Sequence, residues 1–224
     1  MNIIALLPMK AHSERIPNKN FKELSGKPLF KWMLDKLLSI NEISQVIINT
    51  DAIKILTDYG IDKESRVVLE QRPDALCGDM VNMNRIIEHD INNYQADFYL
   101  MTHTTNPALD VETIRSAINK YQEAREENNA DSLFTVTKYQ TRFYDENIKP
   151  INHDPNILMR TQDLEPWYEE NSNLYLFTAD SFKKNNSRIG QKPIILETSK
   201  SETVDIDEMD DWYIAEAILK LSES

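Results

Sequence analysis

Lys10, Ser13, Arg15 and Lys19 stand close together in the stretch LLPMKAHSERIPNKN (6–20), directly after an apolar run. Their types suit a polyanion: lysines act as point charges, an arginine as a planar fork and a serine as a hydroxyl donor. Taken alone, three cations in a loop are equally ordinary as solvated surface charge. A second group supplies the counterpart. In SETVDIDEMDDW (201–212), Asp205 and Asp207 flank Ile206, and in extended backbone residues i and i+2 share a face. Two hard oxygen ligands on one face suit Mg²⁺, which takes one or two carboxylates and fills its shell with water and phosphate oxygens. Asp210 and Asp211 are explained without a metal, as acids at the start of a helix.

The glycines narrow the kind of phosphate site. There are four, Gly26, Gly60, Gly78 and Gly190, and no two are spaced for G-x-G-x-x-G or G-x-x-x-x-G-K. A backbone cradle of those types is excluded, so side chains must carry the charge.

These residues need elements to position them. NIIALL (2–7), SQVIINT (44–50), SRVVLE (65–70), ADFYLMT (96–102) and DSLFTVT (131–137) read as buried strands. Segments 28–40, 52–60, 80–94 and 110–127 between them read as amphipathic helices, with Gly60 ending the second and Asp110 capping the fourth. Strand then helix, four times over, predicts a mostly parallel α/β sheet with helices on both faces. Ligands bind at the carboxyl ends of such strands, where residues 9–20 leave the first one. The rhythm breaks at 138–171, rich in aromatics, Asn, Asp and Pro, which is expected to be an arm or lid inserted in a single domain spanning 1–224. Strands at 173–178 and 193–197 and a helix from about 208 complete the reading.

At 224 residues the chain can form one sizeable core. No apolar run approaches the roughly 20 residues of a membrane span. A net charge of −12 makes nucleic acid a poor partner and a small anion in a local basic site a better one. The single cysteine, Cys77, and an N-terminus without a basic leader lead to the expectation of a cytoplasmic protein. His89 and His153 read as helix-surface and loop residues, and Phe143, Tyr144, Trp167 and Tyr168 as packing within the arm.

Taken together, LLPMKAHSERIPNKNFKELSGKPLF, INTD (48–51), RPDAL (72–76), TNP (105–107), RTQDLEPWYEENSNLYLF (160–177) and VDIDEMDDW resemble the CMP-sialic acid synthetase-like cytidylyltransferases over nearly the full chain. The resemblance implies a Rossmann-like nucleotidyltransferase fold, a homodimer with an extended dimerisation arm, and attack of a sugar hydroxyl on CTP with loss of pyrophosphate and Mg²⁺ as cofactor. It implies Lys10, Ser13 and Lys19 on the phosphates, and Asn20, Arg72 and Asp79 around the nucleotide; Arg15, where the family often has a different residue, is placed in the nucleotide site by its type alone, with a solvent-facing role as the alternative. It further implies His103, Gln162 and Tyr175 on the sugar, Asp205 and Asp207 on the metal, and catalysis through Lys10, Lys19 and that aspartate pair. Departures stand beside the match. Lys10-Ala11-His12-Ser13 replaces a glycine-bearing loop, Thr161 stands where an arginine is usual, and Glu169 and Glu170 replace basic residues. Two alternatives stay open: a nucleotidyltransferase with another base or a non-sialic acceptor, and a non-catalytic nucleotide-sugar binding protein.

Overall fold

The β-branched run Ile3–Leu6 forms β1, and all four of its residues are buried, as a strand covered on both faces requires. The computed structural model describes residues 1–78 and 80–222. β1 pairs in parallel with β4 (Ile43–Thr50) on one side and β6 (Phe98–Thr102) on the other, and β4 carries β5 (Val67–Gln71) at the edge. Beyond β6 the order continues β8 (Trp167–Phe177), β7 (Ser132–Tyr139) and β9 (Pro193–Glu197). Only β8 runs against its neighbours in this seven-stranded sheet, so the expected mostly parallel α/β architecture is the one observed. A separate hairpin, β2 (Glu23–Leu24) with β3 (Lys27–Pro28), precedes the first helix.

The alternation of side chains along the strands sorts the helices. Ile3, Ala5, Val46 and Ile48 join the core that α1 (Leu29–Ser39), α2 (Ile53–Asp58) and α4 (Val111–Glu126) cover from one face. Ile4, Leu6, Ile47 and Met101 face the other way, onto α3 (Met83–Asn93) and α5 (Ala179–Asn185). α6 (Met209–Ser222) lies on neither, packing Trp212, Ala215 and Leu219 against Ile16, Leu24, Leu29 and Trp32. Asp110 caps α4 by accepting from the Glu112 N–H at 2.7 Å, and Gly60 follows α2 at φ +75°, a left-handed turn that a Cβ would strain.

The break after residue 137 is shorter than expected. β7 runs on to Tyr139 and β8 starts at Trp167, with Lys138 opposite Tyr168 and Tyr139 opposite Trp167. The exposed run Trp167–Glu170 conceals this strand from hydrophobic patterning, because it belongs to a ribbon projecting past the sheet rather than to the core. Between Phe134 and Val136 the register slips and residues 171–174 of β8 form a bulge, with Ser172 at φ +57°. Asn171 anchors the bulge, its carbonyl oxygen accepting from Thr135 and its amide donating to Thr198, at 2.7 and 2.8 Å.

Candidate functional site

The loop from Leu7 to Lys22 is held by its backbone. The Leu7 and Met9 N–H groups donate to Ile47 and Asn49 of β4, and the Ala11 N–H donates to Asp51 at 2.7 Å. Asn18 takes the left-handed conformation at φ +55° and opens a 3-10 turn over Lys19–Phe21. Asparagine tolerates that region better than most residues with a Cβ. The loop therefore gets its sharp turn without glycine. The Phe21 and Lys22 N–H groups both donate to the Asn18 carbonyl.

This turn buries Lys19 and Asn20. The Lys19 ammonium donates to the Ile206 carbonyl and lies 3.3 Å from Asp207 Oδ1, while an Arg15 Nη lies 2.8 Å from the same oxygen. Asn20 donates to the Lys10 carbonyl at 2.9 Å and accepts from the Thr104 hydroxyl at 2.6 Å. From below, Arg72 donates to the Met9 and Asn49 carbonyls at 3.0 and 2.7 Å, and its Nε to the Asn49 side chain at 2.8 Å. Asn49 in turn donates to the buried Asp90 at 2.6 Å. Burial pushes the Asp90 carboxyl up to about 6, opposed by the Asn49 hydrogen bond.

These groups enclose a cavity of about 370 Å³ at the carboxyl end of β1. Lys10, Ser13, Arg15 and Lys19 line it on the loop side; Asn20, Arg72, His103 and Asp207 complete the wall. Burial, helped by the charges of Arg188 and Lys19, pushes His103 down to about 4, so the imidazole is neutral near pH 7.

Asp205 lies across Ile206 from Asp207, with Ile206 buried and its N–H bound to the Thr105 carbonyl. Desolvation pushes the Asp205 carboxyl up and the negative charge of Asp207 adds to it, while a hydrogen bond from the Thr105 side chain opposes both. Asp211 accepts from the N–H groups of Asp207 and Glu208 at 3.0 and 2.8 Å, which accounts for it as a cap of α6. Among the described residues no group of three or more His, Cys, Asp or Glu side chains converges on one point. The donor set, two mutually repelling hard carboxylates, fits a divalent cation that draws its remaining ligands from water and phosphate.

Gln162 and Tyr175 stand outside the wall of this cavity. Gln162 sits exposed in a 3-10 turn of the projecting ribbon, where its carbonyl accepts from Gln140 at 3.2 Å. Tyr175 is fully buried in β8, its hydroxyl donating to Glu170, and burial pushes its pKa up to about 12. Asp79 lies outside the described residues. Sequence reasoning missed Thr104, which lines the cavity, and Asn49 and Asp90, which hold the site from behind; the Asn of INTD, polar at the end of an apolar strand, was the available signal.

A family model described as cytidylyltransferase matches residues 4–218. The CMP-N,N'-diacetyllegionaminic acid synthase of Legionella pneumophila is 26% identical over 235 residues, covering 100% of this chain and 98% of that protein. The pseudaminic acid cytidylyltransferase of Campylobacter jejuni is 23% identical, covering 99% of this chain and 98% of its own length. A solved CMP:2-keto-3-deoxy-manno-octonic acid synthetase complexed with CTP superimposes at a TM-score of 0.69 with 11% identity, over 99% of this chain and 100% of that one. At 11% identity that likeness speaks for the fold alone. The sequence match runs from β1 into α6 and so spans both the basic loop and the aspartate pair: the chain belongs to the cytidylyltransferase family.

Proposed function

We propose that this enzyme transfers CMP from CTP to a hydroxyl of an acidic, nonulosonate-type sugar, releasing pyrophosphate, with Mg²⁺ as its cofactor. One observation carries the reading: a cavity with Lys10, Arg15 and Lys19 on its wall has Asp207 within ion-pair distance of two of them. Cations alone would serve any anion; cations joined to Asp207, with Asp205 two residues away, suit a phosphate chain that arrives with a metal. Relatives named for legionaminic, pseudaminic and N-acylneuraminic acids support the acidic acceptor.

In this reading Lys10, Ser13, Arg15 and Lys19 hold the triphosphate, and Lys10 and Lys19 offset charge that develops on the leaving pyrophosphate. Bound to Asp205 and Asp207, Mg²⁺ would supply Lewis-acid polarisation of phosphate oxygens. Asn20 and Arg72 border the nucleoside side. His103, with a pKa near 4, is a weak base and serves as a neutral hydrogen-bond partner to the sugar. The exposed apolar side chains of the ribbon, among them Ile148, Ile157 and Leu158, support a homodimer formed through that arm.

The test is incubation with each of the four nucleoside triphosphates and Mg²⁺, with N-acetylneuraminic, pseudaminic and N,N'-diacetyllegionaminic acids and a neutral hexose as acceptors. Pyrophosphate release with CTP and a sugar acid, and a product of the CMP-sugar mass, is expected. Release with neutral acceptors only would overturn the substrate class, and CTP binding without release under any acceptor would overturn catalysis.

A further inference from the structure

Arg188 enters from the segment between α5 and β9, which no motif had marked. Its guanidinium lies over the Tyr175 ring, 4.0 Å from the centroid, and one Nη is 3.4 Å from the Met101 sulfur. Met101 and Tyr175 are opposite each other across β6 and β8, on the face covered by α3 and α5. Met101 is two residues before His103, near the carboxyl end of β6, and His103 and Met83 line the cavity, so Arg188 sits one step along the strand from that wall without lining it.

An aromatic face and a thioether orient a guanidinium but leave most of its five N–H donors without a strong acceptor. Among the described residues no carboxylate lies within ion-pair distance of Arg188. It is half-buried, and its charge reaches His103, which also feels Lys19. Two cations, Lys19 on the cavity wall and Arg188 behind it, thus act on the His103 imidazole. Arg160, on the ribbon, is not a comparable candidate, because Asp163 already engages it through two hydrogen bonds at 2.7 and 3.0 Å.

We propose that Arg188 binds the carboxylate of the sugar acceptor, giving the cavity a carboxylate end opposite the phosphate end made by Lys10, Arg15 and Lys19. This rests on the acidic-acceptor reading above and names the residue that enforces it. The planar fork suits bidentate recognition of a carboxylate, and stacking on Tyr175 fixes its plane before the sugar arrives.

The experiment compares the parent enzyme with Arg188→Gln and Arg188→Lys, using whichever of the three sugar acids the parent turns over best, and its carboxamide. Loss of a hydrogen bond to a charged group is expected to lower kcat/KM for the acid by roughly 10–100-fold in Arg188→Gln, with partial recovery in Arg188→Lys. KM for CTP should stay within about threefold, and turnover of the carboxamide should be the same in parent and variant, which separates recognition from general loss of folding. Equal losses on acid and carboxamide, an unchanged acid-to-amide ratio, or a rise confined to the KM for CTP would each overturn the assignment. If the parent turns over no sugar acid at all, the acceptor class itself fails; if it does and the ratio is unmoved, Arg188 alone fails.

Discussion

The Lys19 ammonium joins two distant parts of the chain, donating to the Ile206 carbonyl and pairing with Asp207. It is largely buried, with only its cavity-facing side open, so few waters can replace those partners. Lys19→Ala is expected to lower kcat by roughly 10²–10³-fold, the range for one preorganised electrostatic group, with circular dichroism unchanged. Near-normal turnover would remove Lys19 from the phosphate site. Asp90 acts at a further remove. Desolvation lifts its carboxyl from an ordinary value of 3.8 to about 6; the hydrogen bond from Asn49 and the charges of His89 and Arg72 oppose the rise, and Glu70 adds to it. A raised folded-state pKa means the native state holds the proton longer than the unfolded chain. This contribution to stability is therefore present below about pH 4 and is lost as pH rises to about 6. Asp90→Asn keeps an acceptor for Asn49 and should flatten that slope, gaining on the order of 1–3 kcal/mol at pH 7 in urea titrations. A parallel pH profile in the variant would show that the buried charge is compensated elsewhere. Legibility at this scale followed chemistry. Lys10, Ser13, Arg15, Lys19 and Asp207 could be picked out because their types and spacing match a phosphate and metal site, whereas Arg188 and Asp90 sit in ordinary polar surroundings in sequence and acquire a setting only when the fold brings them against Met101 of β6 and Asn49 of β4.

Elements with a complete apolar period were legible, and those without one were not. β1, β4, β5, β6 and β7 and helices α1 to α4 lie where alternation and caps place them, because each turns an unbroken stripe or run to a core face. α5 spans seven residues, too few to display a period, and the β2–β3 hairpin has two residues per strand. The early half of β8 was hidden because its exposed Trp-Tyr-Glu-Glu run faces solvent in the ribbon. One apolar residue ties α6 to the site. Ile206 is fully buried between Asp205 and Asp207 and packs in the cluster with Trp212. Ile206→Ala should cost about 2–5 kcal/mol of stability. In the proposed reading Asp205 and Asp207 hold Mg²⁺, so loosening the residue between them should lower the affinity for Mg²⁺, followed by calorimetry with CTP present, along with the melting temperature. A lower melting temperature with unaltered Mg²⁺ affinity would separate the packing of α6 from the metal pair.

At the scale of the whole molecule, the ribbon is the part that the fold does not need. Leu158 is 93% exposed and Ile148 81%, in a projecting segment with a single bridge, Tyr144 to Pro150, among the described residues between β7 and β8. Exposed apolar side chains gathered on one projection suit a protein surface, which the proposed reading assigns to a second copy. Ile148→Glu with Leu158→Glu should convert a dimer to a monomer in sedimentation at micromolar concentration, while the far-ultraviolet spectrum stays the same. A parent that sediments as a monomer would remove the dimer from the proposed reading. A net charge of −12 keeps such monomers from associating elsewhere.

The bond from Lys19 to the Ile206 carbonyl spans 187 residues. At a synthesis rate of about 5–20 residues per second, roughly 10–40 s pass between translation of the two partners. During that interval the basic loop exists without the carboxylates that complete it, so a nascent chain offers cations but no finished site. Any chemistry that uses both the basic loop and Asp207 therefore waits until the chain has been made through α6, however early β1 and its loop emerge.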